Sequence, residues 1–265
     1  MTTPPADLVT VLRSAGCVFA EDEAALLTDA APPGPERDAL VARRVAGEPL
    51  EHVLGRVEFD GGTVLLGPGV FVPRQRSVLL VEVAAALDPD VVVDLCCGSG
   101  ALGLAIARRC PGAAVHAADV DDEAVRWARL NLTPVGGHAH VGDLDAPLPA
   151  TLRGRVDVLV ANVPYVPSAA VADLPPEARE HEPLRALDGG GDGLDVLRLV
   201  AARAPRWLRP GGTLLSEVGD DQVEPALALL DDAGLAPAVH RDDERGALAV
   251  SGTSTAGGTA GVRRT

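Results

Sequence analysis

The chain contains no lysine, so all 23 of its basic residues are Arg. Together with an excess of Ala, Gly, Asp and Pro, that absence points to a GC-rich coding bias and supplies no mechanism. Aromatics are scarce at 2%, so the 47% hydrophobic content rests on Ala, Val and Leu. That content is ample for a buried core and excludes disorder throughout. No apolar run reaches the ~18 residues a membrane span needs. Positive charge is short as well: 38 Asp and Glu leave a formal charge of −15, which opposes a broad phosphate-binding surface because contacts to a nucleic-acid backbone are mainly electrostatic. A local basic patch stays open. The start, MTTPPADLVT, has neither a charged segment followed by an apolar stretch nor an Arg-rich amphipathic pattern, so no export signal is read and a cytoplasmic location is expected. Cys17, Cys96, Cys97 and Cys110 lack both a Cys-x-x-Cys spacing and a nearby His, which argues against zinc or a disulfide framework. His138 and His140 share a side only in a strand, and with no third ligand apparent no metal is expected.

What is present is periodic. Residues 6–46 read as helices, with Leu8, Val11 and Leu12 on one face, Ala24, Leu26 and Leu27 on a second, and Leu40, Val41 and Val45 on a third. APPGP at 31–35 separates two of them. From Gly55 to Pro73 the pattern turns to short β segments, and Gly61-Gly62 is the predicted hairpin turn between Val57-Glu58-Phe59 and Val64-Leu65-Leu66. After Arg74, helices at 75–87, 101–109, 122–131, 193–207 and 221–233 alternate with strands at 91–95, 114–118, 138–141, 156–161 and 212–217. Two more strands lie near 236–240 and 246–251. This alternation indicates an α/β fold, a doubly wound sheet with a largely parallel core. The expected organisation is a helical amino-terminal domain at 1–54, a β-hairpin linker at 55–73, the main domain at 74–251 and a disordered tail at 252–265, too small and polar to pack.

VVVDLCCGSGALGLAIA, residues 91–107, is a buried strand that runs through a glycine turn into a helix. Gly98 and Gly100 permit positive φ and close approach of backbone to a ligand, and the helix from Ala101 presents unpaired N–H groups. Gly98, Gly100 and Gly103 also satisfy G-x-G-x-x-G, which alone suggests a dinucleotide equally well. Asp94 moves the balance toward S-adenosylmethionine, since a carboxylate ahead of the glycines repels a pyrophosphate and suits a cationic ligand, directly or through water. Asp119 ends the next strand, where a carboxylate accepts both hydrogen bonds of a ribose diol; the bland reading is that Asp119 and Asp121 cap the following helix. Asp143 is the third strand-end carboxylate, with Leu144 beside it to cover an adenine, although VGDLDAPLP also reads as an ordinary loop.

ANVPYVP, residues 161–167, follows the strand VDVLV at the same kind of end. Asn162 offers a side-chain oxygen, the Val163 carbonyl a second acceptor, and Pro164 lacks a competing N–H. Tyr165 supplies an aromatic surface. Such a loop holds a planar NH2, which has two hydrogens to donate; standing alone it reads equally as a rigid turn.

With that loop in view, the chain resembles the release-factor glutamine methyltransferases, the PrmC/HemK family, whose hallmark is Asn-Pro-Pro-Tyr after the fourth strand. The likeness runs from about residue 46 to 251 through GEPLEHVLGRVEF, GVFVPRQRSVLLVE, DLCCGSGALGLAIA, AADVDDEAVRWARLN, the Asn162–Tyr165 loop, HEPLRALDGGGDGLDVLR, LRPGGTLLSEVGDDQ and RDDERG. The resemblance implies a seven-stranded Rossmann-like methyltransferase sheet with a small helical amino-terminal domain that helps seat a protein substrate, and S-adenosyl-L-methionine as methyl donor. It implies further that Cys96, Cys97, Gly98, Ser99 and Gly100, with Asp119, Leu144 and Asn162, line the cofactor, and that Asn162, Val163, Pro164 and Tyr165 grip the glutamine of a peptide chain release factor. Three departures stand out. Val163 replaces Pro, Cys96 replaces the first glycine of the turn, and Gln75-Arg76-Ser77 replaces the usual acidic-Thr-Glu. Val163 keeps its carbonyl acceptor, whereas Cys96 requires a backbone position that tolerates a β-carbon.

The mechanism expected is one in-line displacement by the amide nitrogen, with Glu182 taking the proton afterward if His181-Glu182-Pro183 folds over the site. Rival readings are an N-methyltransferase acting on an exocyclic amine of a nucleic acid or small metabolite, a catalytically silent binding module, and a dehydrogenase. Acidic charge lowers the nucleic-acid version, and the retained Asp94, Asp119 and Asn162 lower the silent one.

Overall fold

The computed structural model describes residues 5–255. Four helices open it: α1 (Ala6–Ser14), α2 (Ala20–Ala30), α3 (Pro35–Val45) and α4 (Leu50–Leu54). Leu12, Ala20, Ala24, Leu27 and Val53 close into their own small apolar cluster. Pro35 begins α3, where its missing N–H costs nothing and its fixed φ suits the first turn. The five residues of α4 are too few for a helical period to show in the sequence.

A hairpin follows, β1 (Arg56–Phe59) and β2 (Gly62–Leu65). Phe59 pairs with Gly62, so the turn is Asp60-Gly61, one residue ahead of the predicted Gly61-Gly62. Both turn residues have positive φ, 50° and 71°, as a two-residue loop matched to the strand twist requires. The hairpin is docked: Asn131 accepts from the Leu65 N–H at 2.9 Å and donates to the Leu65 carbonyl at 2.8 Å.

The remaining elements are α5 (Val78–Ala86), β3 (Val91–Leu95), α6 (Ala101–Arg109), β4 (Ala114–Asp119), α7 (Asp122–Leu132), β5 (His138–Val141), β6 (Val156–Ala161), α8 (Pro176–His181), α9 (Asp195–Arg203), β7 (Leu208–Glu217), α10 (Val223–Asp232), β8 (Leu235–Asp242) and β9 (Ala247–Ser254). The seven-stranded sheet has the order β5-β4-β3-β6-β7-β9-β8. Its first five members are parallel, and β9 runs antiparallel to both neighbours. Val92, Val93, Val158 and Leu159 are fully or almost fully buried, because α5, α6 and α7 pack one face and α9 and α10 the other.

Several boundaries differ from expectation. β7 starts four residues before 212. β9 continues to Ser254, so 252–254 pair in the sheet and are not tail; the ladder needs backbone groups and no apolar side chain, and Gly252 and Thr253 bond to both neighbours. Thr255 is the last described residue, and 256–265 of the predicted tail lie outside the described residues. The helix predicted over 193–207 ends at Arg203 and tightens into a 3₁₀ turn through Arg206, where Pro205 has no N–H to continue it.

Candidate active site

Strand order reverses between β3 and β6, which opens a crevice at their carboxyl ends. Leu95 is level with Ala118 of β4 and Ala161 of β6, so the segments that follow these three strands emerge at one edge. They line a single cavity of about 540 Å³, whose wall includes Cys96, Cys97, Gly98, Ser99, Asp119, Asp143, Leu144 and Asn162 through Tyr165. The size is that of a site for a drug-sized ligand. The loop at Asn162 and the cleft at Asp119 therefore share one space.

The glycine turn is wound left-handed at three places, Cys96 (φ 54°), Gly98 (φ 54°) and Gly100 (φ 76°). Asp119 ties it down: one carboxylate oxygen accepts from the Gly98 N–H at 2.9 Å and the other from the Asp121 N–H at 3.0 Å. Burial raises the Asp119 pKa, opposed by those two N–H groups. Asp121 does cap α7, accepting from the Glu123 N–H at 3.0 Å. Capping thus belongs to Asp121, and Asp119 stays on the cavity wall. Asp143 has an exposed side chain and lies 3.7 Å from Arg203.

Two expected contact residues are not on the wall. Asp94 is 1% exposed and sits beneath the turn, where it accepts from the Gly103 N–H at 2.9 Å and steadies the start of α6. Its second oxygen is buried without a partner, and burial pushes its pKa up to about 7, with the Asp119 charge adding to the shift and the Gly103 N–H opposing it. Gly100 is needed for packing, since a β-carbon there meets Ala128 at 3.1 Å. Gly98, by contrast, has open space where a β-carbon would lie. Burial raises the Cys96 and Cys97 thiols far above the ordinary range, so neither is a thiolate available for nucleophilic work.

The acceptor loop is held from behind. The Asn162 Nδ2 donates to Ser77 Oγ at 3.2 Å, and the Asn162 Oδ1 is buried with no partner. Ser77 donates to Glu217 Oε2 at 2.5 Å. Tyr165, the chain's single tyrosine, donates to Glu217 Oε1 at 2.6 Å and accepts from Arg76. Arg76 also binds Glu217 Oε1 at 2.6 Å. Burial and the Glu217 carboxylate keep the phenol protonated well past its usual range. Gln222 Nε2 donates to the Tyr165 and Asp192 carbonyls at 2.7 and 2.9 Å. Gly189 and Gly193 press against the loop so closely that a β-carbon would fall 2.6 Å from the Pro164 carbonyl oxygen and 2.2 Å from that of Tyr165. This close approach is the physical demand behind Asp-Gly-Gly-Gly-Asp-Gly at 188–193.

Glu182 folds onto the same cavity from the residues after α8. One oxygen pairs with Arg74 at 2.5 Å, the other is buried and unpartnered, and burial raises its pKa. Sequence reasoning assigned no role to Ser77, Arg76 or Glu217. The available signal for Glu217 was a fourth strand-end acid, in LLSEVGDDQ. His116 of β4 was missed as a neighbour of His138 and His140; its Nδ1 lies 3.4 Å from the His140 Nε2. Among the described residues no group of three or more His, Cys, Asp or Glu is arranged to hold a metal ion.

Residues 61–204 match the family described as methyltransferase small domain. The chain is 41% identical over 189 residues to a release factor glutamine methyltransferase of Streptomyces coelicolor, an alignment covering 69% of this chain and 67% of the relative. To that of Geobacter sulfurreducens it is 38% identical over 211 residues, 78% and 73% of the two chains. Among solved structures, the hMettl16 catalytic domain aligns with a TM-score of 0.56 at 12% identity over 82% of this chain and 81% of that one. The T. thermophilus 16S rRNA N2 G1207 methyltransferase aligns with a TM-score of 0.53 at 23% identity, over 75% of this chain and 49% of that one. These two structural likenesses speak to the fold alone.

Proposed function

The chain belongs to the release factor glutamine methyltransferases within the methyltransferase small domain family, and from its cavity we propose that it methylates the side-chain amide nitrogen of a glutamine in a peptide chain release factor. The observation that carries the reading is the buried, unpartnered Asn162 Oδ1 on the wall that it shares with Asp119 and the Cys96–Ser99 turn.

S-adenosylmethionine supplies an electrophilic methyl group when bound. The residues present fit it: Asp119 and Leu144 line the cavity, where a carboxylate can accept from a ribose diol and an apolar side chain can cover an adenine, and the buried Ser99 hydroxyl has no partner of its own. Acidic groups on the wall, Asp119, Asp143 and Glu182 among them, favour a cationic ligand. An amide nitrogen is a poor nucleophile because its lone pair is delocalised, so orientation at ~3 to 3.5 Å is the main task. Asn162 Oδ1 and the Val163 carbonyl accept the two amide hydrogens. Those bonds strengthen as positive charge develops on nitrogen, which stabilises the transition state more than the ground state. Glu182, raised in pKa and with one oxygen unpartnered, accepts the proton released afterward.

The amino-terminal helices are proposed to seat the protein substrate, since Pro49 and Glu51 reach the cavity rim. Incubation with radiolabelled donor and separate pools of release factor, DNA, RNA and small-molecule extract tests the whole reading. Label on a release-factor glutamine, located by peptide mapping, is the expected result. Label in nucleic acid alone overturns it.

A further inference from the structure

We infer that Glu217 and Ser77 form a positioning relay that decides which end of the Asn162 amide faces the cavity, and thereby selects an NH2 group over a carboxylate or carbonyl as the acceptor. The inference rests on the proposed use of Asn162 and assigns the origin of its selectivity.

An asparagine amide has an oxygen and a nitrogen end of nearly equal shape, so only its hydrogen-bond partners determine which way it points. Glu217 is 3% exposed and already receives Arg76 and Tyr165, a cation and a hydroxyl donor. An ionised carboxylate only accepts. Ser77 therefore spends its single proton on Glu217 Oε2 at 2.5 Å and keeps only lone pairs for its other neighbour. That neighbour is Asn162, which must present Nδ2 at 3.2 Å. The Oδ1 end is left over, buried and unpartnered.

Polarity thus propagates from the end of β7 through Ser77 to the cavity wall, and what reaches the wall is an acceptor. A substrate NH2 satisfies it. A carboxylate or a carbonyl offers a lone pair to a lone pair. The same carboxylate fixes Tyr165, whose phenol has its proton on Glu217 and its lone pair on Arg76. Arg76 balances the buried charge that drives the relay.

Glu217→Gln keeps the shape and adds a donor end. Ser77 then receives from residue 217, donates to Asn162, and turns the amide around. Three measurements on the full-length chain test this. With a release-factor peptide carrying the acceptor glutamine, kcat falls about tenfold or more in Glu217→Gln, consistent with loss of one directed hydrogen bond, while S-adenosylmethionine affinity holds. The affinity ratio between that peptide and its Gln→Glu counterpart, which favours glutamine in the wild type, shifts toward glutamate by a similar factor. Ser77→Ala lowers kcat in the same sense, and Ser77→Thr, which keeps a hydroxyl, recovers most of the loss.

A Glu217→Gln enzyme with unchanged kcat and unchanged glutamine preference overturns the relay. So does one in which both peptide affinities, cofactor affinity and melting temperature fall together, the signature of a merely structural role. If the wild type leaves release factor unlabelled, the substrate reading fails and the relay is judged on the ligand-free chain by ¹⁵N NMR. The Asn162 side-chain NH2 must show proximity to Ser77 and lose it in Glu217→Gln; identical spectra refute the relay.

Discussion

Arg44 of α3 and Glu177 of α8 lie 133 positions apart in sequence and meet at 2.6 Å. The same guanidinium holds Glu23 with two bonds, at 2.6 and 3.0 Å, and the Glu48 carbonyl at 3.1 Å. Arg44 is almost wholly buried, whereas Glu177 is half exposed. One side chain thus ties the amino-terminal helices to the segment that covers the cavity.

Removal of Arg44 leaves Glu23 buried without its cation. Arg44→Ala is expected to cost about 3 kcal/mol or more, against about 0.5 to 1 kcal/mol for Glu177→Ala, whose pair is half in water. Chemical denaturation of the two variants checks the contrast, and equal losses contradict the buried-charge argument.

Asn162→Ala removes the acceptor without touching the sheet core. Loss of about 1.5 to 3 kcal/mol corresponds to roughly 10 to 150-fold in turnover. Steady-state rates and circular dichroism on the same sample suffice. Full turnover would strip Asn162 of its role.

Asp94 titrates at about 7 in the fold against 3.8 ordinarily. The folded chain therefore retains a proton that the unfolded chain has already released between those values, and stability declines as pH rises through that window. Asp94→Asn keeps an acceptor for the Gly103 N–H and carries no charge to bury. At pH 8 the ligand-free variant should melt higher than the wild type, and at pH 4 the two should converge. Asp119 and Glu182 are raised as well, so the variant keeps a shallower slope. Superimposable melting profiles at all pH values count against the buried charge.

Cys96 sits at φ 54°, a conformation costing an L-residue about 1 to 2 kcal/mol. Cys96→Gly relieves that strain and adds about 0.5 to 1 kcal/mol of unfolded-state entropy. A net gain of about 0.5 kcal/mol is expected, with no such gain for Cys96→Ala, which keeps the β-carbon. A lower urea midpoint for the glycine variant disproves the strain.

Much of the site was readable because it is written in short range. The strand into the Cys96–Gly100 turn, Asp119 at the end of its strand and the Asn162–Tyr165 loop each occupy about ten residues or fewer, and each carries its own local signal. Asp94, expected to meet a cationic ligand directly or through water, lies buried beneath the turn, and alternation along a strand does not say which side chains a ligand reaches. The turn at Asp60-Gly61 was displaced by one, since Gly61-Gly62 is the more conspicuous pair while the pairing of Phe59 with Gly62 sets the loop. α8 and the 3₁₀ turns around it carry too little periodicity to announce themselves.

The sequence by itself determined the alternation of strand and helix, the family, and the chemistry of each strand end, because hydrophobic period and local backbone preference act over a few residues. Only the tertiary structure decided that Ser77, Asn162, Tyr165 and Glu217 form one connected set. Those residues come from the turn before α5, the loop after β6 and the end of β7, brought together by the strand order of the sheet. Hydrogen-bond polarity belongs to the set as a whole, so no residue read alone discloses which way Asn162 points.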